Sequence, residues 1–222
     1  MADYSAARRM MVDGQIRTAD VTDRRILGAF EEMPRERFVS AARAPIAYLD
    51  TNVVVSADGA TPVRRLLTPM VLARLIQAAA VTDSDRVLVV GCATGYAAAI
   101  LSRFAGSVVA LEEDAALARQ AERTLADLSL ANAAVVQGPL VAGAPGKAPF
   151  DVILFDGAIE ILPPAIARQV AEGGRLVAVQ GRPPALQAIL YVAADGDLTG
   201  RPVFDAAAPA LPGFQKAPEF VF

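Results

Sequence analysis

Val87-Leu88-Val89-Val90-Gly91-Cys92-Ala93-Thr94-Gly95-Tyr96 is the stretch whose reading decides the fold. Four consecutive apolar residues, three of them β-branched, read as a strand buried on both faces rather than one with a wet side. The strand ends in a Gly-x-x-x-Gly loop. A chain that bends sharply at a strand's end needs residues without bulky side chains. Residues 96–104 then read as helix. Strand, small-residue loop and helix together place backbone N–H groups and a helix N-terminus at the carboxyl edge of a sheet. In open α/β sheets that edge is where ligands bind. The next apolar run, Val108 to Leu111, ends in Glu112, 21 residues after Gly91. A carboxylate at that point can accept hydrogen bonds from both hydroxyls of a ribose, so loop and acid together point to a nucleoside cofactor.

The same rhythm extends outward. Leu117, Ala121, Leu125 and Leu128 mark the buried stripe of a helix, and Val135-Val136 and Val152 to Phe155 read as further strands. A helix is expected over residues 164–171, then a strand at Leu176 to Val179. Uniformly apolar strands alternating with helices imply a mostly parallel sheet covered on both faces. Near the end the pattern changes. Ile189 to Val192, a turn at Asp195-Gly196 and Pro202 to Asp205 predict an antiparallel hairpin. Upstream, Thr22 is expected to cap a helix carrying Ile26, Leu27, Phe30 and Met33, which Pro34 ends. Val53 to Val55 reads as a short strand, and Asp58-Gly59 as a turn. Thr68 followed by Pro69 predicts a second capped helix with Val71, Leu72, Leu75, Ile76 and Ala79 on one face. The expected architecture is one α/β domain over residues 1–222, with a helical cap over 1–68 and a cofactor-binding core over 69–222.

Composition narrows the chemistry. The 222 residues are 54% hydrophobic and 20% charged, the balance of a globular chain. There is no histidine and one cysteine, Cys92. Ser-His-Asp and Cys-His catalysis are excluded, as are histidine metal sites and any disulfide within the chain. A formal charge of −3 argues against nucleic acid as partner. Arg8 and Arg9 have no apolar core behind them, and the longest apolar stretch, Val87 to Leu101, is too short for a bilayer span. A cytoplasmic protein without membrane contact is the expectation.

The loop spacing selects among cofactors. A dinucleotide fingerprint requires Gly-x-Gly-x-x-Gly, but here the middle position is Ala93 and the last is Tyr96. A Walker loop lacks its Gly-Lys-Ser/Thr. Gly-x-x-x-Gly with an acid ending the next strand fits S-adenosylmethionine better. A tight strand–helix turn with no ligand is the alternative reading of the loop. A nicotinamide-dependent oxidoreductase is the weaker functional one.

Several stretches resemble the protein-L-isoaspartate O-methyltransferase family. They are Met11 to Arg17, Val21 to Leu27, Met33-Pro34-Arg35-Glu36-Arg37-Phe38-Val39, Ala47-Tyr48-Leu49-Asp50, Val87 to Tyr96, Phe150 to Ile153, Glu172 to Val177 and Ala210-Leu211-Pro212-Gly213-Phe214. The resemblance implies a Rossmann-like methyltransferase fold, S-adenosylmethionine as donor, S-adenosylhomocysteine as product, and repair of isoaspartyl residues in damaged proteins. It implies cofactor contacts from Gly91, Cys92, Ala93, Gly95, Tyr96, Glu112 and Gly138. Three positions depart from the family pattern. Leu67 stands where a serine helps orient the acceptor, Val89 where an acid precedes the loop, and Pro139 where an aspartate touches adenine. Thr68, beside the missing serine, and Asp156, ending a strand at the ligand edge, are the candidate catalytic residues. Thr68 is also read as a helix cap and Asp156 as a turn cap. Arg64 and Arg65 are candidates for an acceptor carboxylate or are solvated surface residues, and Cys92 is a small packing residue in the loop. The departures leave open a homologue that has lost repair activity and acts on another acceptor, or serves as a binding or sensing module.

Overall fold

The computed structural model describes residues 3–216. Helix α1, Ser5–Met11, continues through a π-helical turn at Val12–Ile16, and α2 spans Arg24–Glu32. The residue that caps α2 is Asp23, not Thr22: its carboxylate accepts from Arg25 N. Thr22 instead donates its backbone N–H to the Gln77 side chain, which anchors the chain before the helix begins. Two strands of two residues each, β1 (Val53–Val54) and β2 (Arg65–Leu66), form a small antiparallel hairpin. Helix α3, Pro69–Ala79, has Thr68 as its cap and Pro69 at its first position, as expected.

The main sheet then begins. It comprises β3 (Arg86–Val90), β4 (Ser107–Glu112), β5 (Ala133–Gln137), β6 (Phe150–Ile159), β7 (Val170–Arg182), β8 (Ala185–Ala194) and β9 (Asp197–Asp205). Between them lie α4 (Tyr96–Leu101), α5 (Ala115–Asp127) and α6 (Pro164–Ala167). The strand order is β5-β4-β3-β6-β7-β8-β9. The first five strands in that order pair in parallel, and β7–β8 and β8–β9 pair antiparallel. The predicted hairpin is therefore the β8–β9 pair at the sheet's edge. Pro202 lies in the outermost strand, where its missing N–H is tolerated.

Strand β3 lies between two parallel neighbours, which is why its residues are apolar on both faces. Val87 and Val89 face one core, with α3, α4 and the N-terminal helices. Leu88 and Val90 face a second core. That second face carries little helix. It is covered by the single turn of α6 around Ile166, by Leu140, and by Leu211 and Phe214 from the C-terminal segment. The helix expected over residues 164–171 ends at Ala167. Gln169 buries its side chain against Ala142 and Ala144, and its carbonyl accepts from Phe150 N, so the backbone has already turned toward the sheet. Helix α4 also ends early, at Leu101. Residues 3–68 share one continuous core with this first sheet face, through Met11, Phe30, Phe38 and Leu67 among others.

Arg175 on β7 ties helix to sheet. Its guanidinium donates to the C-terminal carbonyls of α3 at Ala79 and Ala80 (3.0 Å each) and to Asp85 (2.6 Å). These carbonyls have no partner within the helix. Arg175→Ala is expected to cost about 1.5–3 kcal/mol, the range for hydrogen bonds to a charged group, measured by denaturant unfolding. A loss under about 0.5 kcal/mol would mean that water replaces the arginine fully.

Candidate active site

The Gly91–Gly95 loop follows a path few residues adopt. Gly91, Ala93 and Gly95 all have positive φ, at 78°, 51° and 93°. For Ala93 this left-handed geometry is strained, and it is held by a hydrogen bond: Ala93 N donates to Glu112 Oε2 at 2.7 Å. Gly91 N and Cys92 N both donate to the Leu111 carbonyl. Thr94 turns its hydroxyl away from the sheet and donates to the Phe38 carbonyl at 2.6 Å, which joins the loop to the N-terminal segment.

Glu112 is fully buried. Its Oε1 accepts from Arg64 Nη1 at 2.5 Å and from the backbone N–H groups of Glu113 and Asp114 at 3.0 and 3.1 Å. Arg64 is itself buried, and its Nη2 donates to the Gly91 carbonyl at 3.0 Å. The β1–β2 hairpin aims this side chain. Val55 N donates to the Arg64 carbonyl at 2.9 Å, and Arg64 N donates to Ser56 Oγ at 3.1 Å. Of the two readings of Arg64, a surface group or a binder of an external carboxylate, the structure supports neither. Its carboxylate partner is Glu112 of the same chain.

Asp156 sits where β6 bulges against β7: Leu154 pairs with Val177, but Ala158 pairs with Val179. The bulge leaves the Asp156 side chain buried, with Oδ1 lacking a partner. Burial lifts its pKa to about 7, the repulsion of Glu112 adding to it and Arg64 and Arg35 opposing. A capping role for Asp156 leaves that oxygen unexplained. Thr68 is at the start of α3, its Oγ1 accepting from Val71 N at 3.3 Å. Gly138 follows β5 and donates its N–H to the Glu112 carbonyl. Cys92 is buried, and burial with the nearby Glu112 charge pushes its thiol up, consistent with packing rather than reactivity.

Tyr96 lies under the N-terminal segment, edge-on to Phe30 and Phe38 with ring centroids 6.0 and 5.2 Å away. Burial raises its hydroxyl to about 12. Arg35 stacks its guanidinium 4.6 Å from the Tyr96 ring centroid. It donates to the Ala47 and Leu67 carbonyls, while its Nη1 and the Tyr96 hydroxyl are without partners. Sequence reasoning did not single out Arg35 or Thr94 by itself; the signals were Arg35's place in the Met33–Val39 segment and Thr94's in the Gly91–Gly95 loop. Loop, Glu112 and Arg64 are in direct contact. Thr68 follows Leu67, whose carbonyl accepts from Arg35.

The model for protein-L-isoaspartate(D-aspartate) O-methyltransferase matches residues 6–199. The chain belongs to that family. Two relatives named protein-L-isoaspartate O-methyltransferase support this. One, from Koribacter versatilis (strain Ellin345), is 38% identical over 86% of this chain and 84% of its own length. The other, from Methylorubrum populi, is 39% identical over 86% and 87%. A solved structure of the same name aligns with a TM-score of 0.83 at 27% identity, covering 93% of this chain and 66% of that longer one. A Plasmodium falciparum structure, titled as a putative family member in complex with S-adenosyl-L-homocysteine, shares the fold at TM-score 0.75 and 17% identity, over 92% and 97% of the two chains.

The donor set fits the family's cofactor: a buried carboxylate ends the second parallel strand beside the Gly91–Gly95 loop. The space is another matter. A Cβ placed on Gly91 would lie 2.7 Å from Leu211 Cδ2 and 3.2 Å from Arg64 Nη2. The chain's own side chains fill the ground over the loop.

Asp156 yields a pH test. An unfolded aspartate titrates near 3.8, and the folded group near 7. Its contribution to stability is therefore full below about pH 4 and is lost as pH rises through 7. Asp156→Asn removes that loss. The variant should gain on the wild type between pH 4 and 7, by at most about 4 kcal/mol, and then level off. Denaturant unfolding across pH 4–8 measures this. A difference independent of pH would show that Asp156 is not protonated in the folded state.

Proposed function

We propose that this chain transfers the methyl group of S-adenosylmethionine to a carboxylate, namely the isoaspartyl carboxylate of a protein or peptide. The observation that carries the reading is the family match over residues 6–199 together with Glu112 ending β4 against the Gly91–Gly95 loop. When bound, the cofactor supplies a methyl group already made electrophilic by its sulfonium. A carboxylate acceptor is already a nucleophile, so no general base is required and the absence of histidine is no obstacle. What the chain must do is hold donor and acceptor in line. Orientation of that kind is worth up to about 7–11 kcal/mol in well-placed systems.

In this reading Glu112 takes the ribose hydroxyls, and Gly91, Cys92, Ala93 and Gly95 present the loop backbone. Gly138 lies at the adenine side, at the end of β5. Tyr96 anchors the start of α4 from beneath. Asp156, when ionised, holds the ammonium of the methionine part. Thr68 keeps a hydroxyl hydrogen to donate toward the acceptor while its oxygen caps α3. Leu67 contributes apolar surface at the position where the family pattern has serine. The single cysteine supports a cytoplasmic location, as does the lack, among the described residues, of any helix long and apolar enough to cross a membrane.

Labelled methyl transfer tests this. A peptide carrying isoaspartate should accept label from S-adenosylmethionine and its aspartyl counterpart should not. Glu112→Ala should lower incorporation at least ten-fold at limiting cofactor. Equal labelling of the two peptides, or of neither, overturns the assignment.

A further inference from the structure

We propose that Arg64 is the residue that sets cofactor affinity in this protein, because it occupies the cofactor's place on Glu112. The proposal rests on the reading of Glu112 as the ribose acid. A carboxylate offers about four lone-pair sites. At Glu112, Oε1 is saturated by Arg64, Glu113 N and Asp114 N, and Oε2 accepts from Ala93 N, which leaves one acceptor position on Oε2 for two ribose hydroxyls. Three of these donors are backbone groups fixed by the loop and by the β4–α5 turn. Arg64 is the one side-chain donor, so two ribose hydroxyls can reach Glu112 only when the guanidinium leaves. The same guanidinium covers Gly91 from above, through its bond to the Gly91 carbonyl, so it blocks both parts of the expected nucleoside contact.

Release of the arginine would involve the hairpin that carries it. Arg64 stands beside β2, in a hairpin with two residue pairs, Val53 with Leu66 and Val54 with Arg65. A pairing that short is marginal by itself, and few backbone bonds oppose its opening, although Val53 and Leu66 are buried. The bond that cofactor must break is nevertheless a buried ion pair, and breaking such pairs is costly. Affinity for the nucleoside is reduced by the fraction of molecules in which Arg64 holds Glu112.

Calorimetric titration with S-adenosylhomocysteine tests the proposal on the full chain. Arg64→Met, which keeps the apolar stem and removes the guanidinium, should bind at least ten-fold more tightly than wild type. Arg64→Lys, which keeps a charge but not the two-pronged grip, should fall between. Should the methionine variant not fold, the lysine variant against wild type carries the comparison. Adding Glu112→Gln to Arg64→Met should reverse the gain. Equal or weaker binding in folded Arg64 variants overturns the role of Arg64 and leaves the cofactor reading standing, whereas a double variant that binds as tightly as Arg64→Met overturns Glu112 as the ribose acid and the proposal with it. Absence of binding at 10 mM ligand in every variant overturns both.

Discussion

The buried pair between Arg64 and Glu112 is the contact through which the ligand edge of this molecule is organised. Two charges removed from water carry a desolvation penalty of several kcal/mol each, so they persist only where other bonds satisfy them. Here they do. Glu112 gathers backbone N–H groups from the loop after β3 and from the turn into α5, and Arg64 adds the Gly91 carbonyl. One carboxylate thereby fixes the left-handed Ala93, orients the start of α5, and draws the β1–β2 hairpin down onto the sheet. Removing either partner would leave its opposite charge buried and alone.

The second constraint is the need to cover both faces of a parallel sheet. The first face is roofed by helices and by the N-terminal segment. The other has the one-turn α6 and relies on Leu211 and Phe214, with Phe155 meeting Phe214 edge-on at 5.3 Å. The C-terminal segment is bound along β6 through Ala158, whose N–H reaches Pro209 O and whose carbonyl accepts from Leu211 N. This arrangement brings Leu211 over Gly91. Core coverage and closure of the ligand edge are thus one packing event, and a methyltransferase-type loop ends up beneath apolar side chains.

A third layer of buried polarity lies under the N-terminal segment. Arg35, fully buried, shares its donors between the Ala47 and Leu67 carbonyls and stacks on Tyr96. Thr94 binds the Phe38 carbonyl. The position of residues 64–68 is therefore coupled to the Gly91–Tyr96 stretch through Arg35, which stacks on Tyr96, and through Arg64, which binds the Gly91 carbonyl. The family's serine position is Leu67, but its backbone carbonyl still takes part in this network.

Much of this was legible in the residues themselves. Val87 to Val90, with no polar position, could only be a strand covered on both faces, and small residues at Gly91 and Gly95 marked the turn at the ligand edge. Thr68-Pro69 announced its helix, and Asp195-Gly196 its hairpin, because caps and turns are local chemistry. The failures were where distant groups decide. Residues 168–171 have helical composition, yet a buried Gln169 and the pairing of Val170 with Phe150 draw them into the sheet. Asp23 caps α2 because Gln77, 55 residues beyond Thr22, holds the Thr22 N–H. Arg64 looks the same in sequence whether it is solvated, bound to a substrate or buried. The sequence by itself determined the alternation of strand and helix, the loop and the acid at its edge, since each depends on near neighbours and periodicity. Only the tertiary structure decided that the acid's partner is Arg64, because a charge's fate depends on which opposite charge the folded chain brings within hydrogen-bond reach.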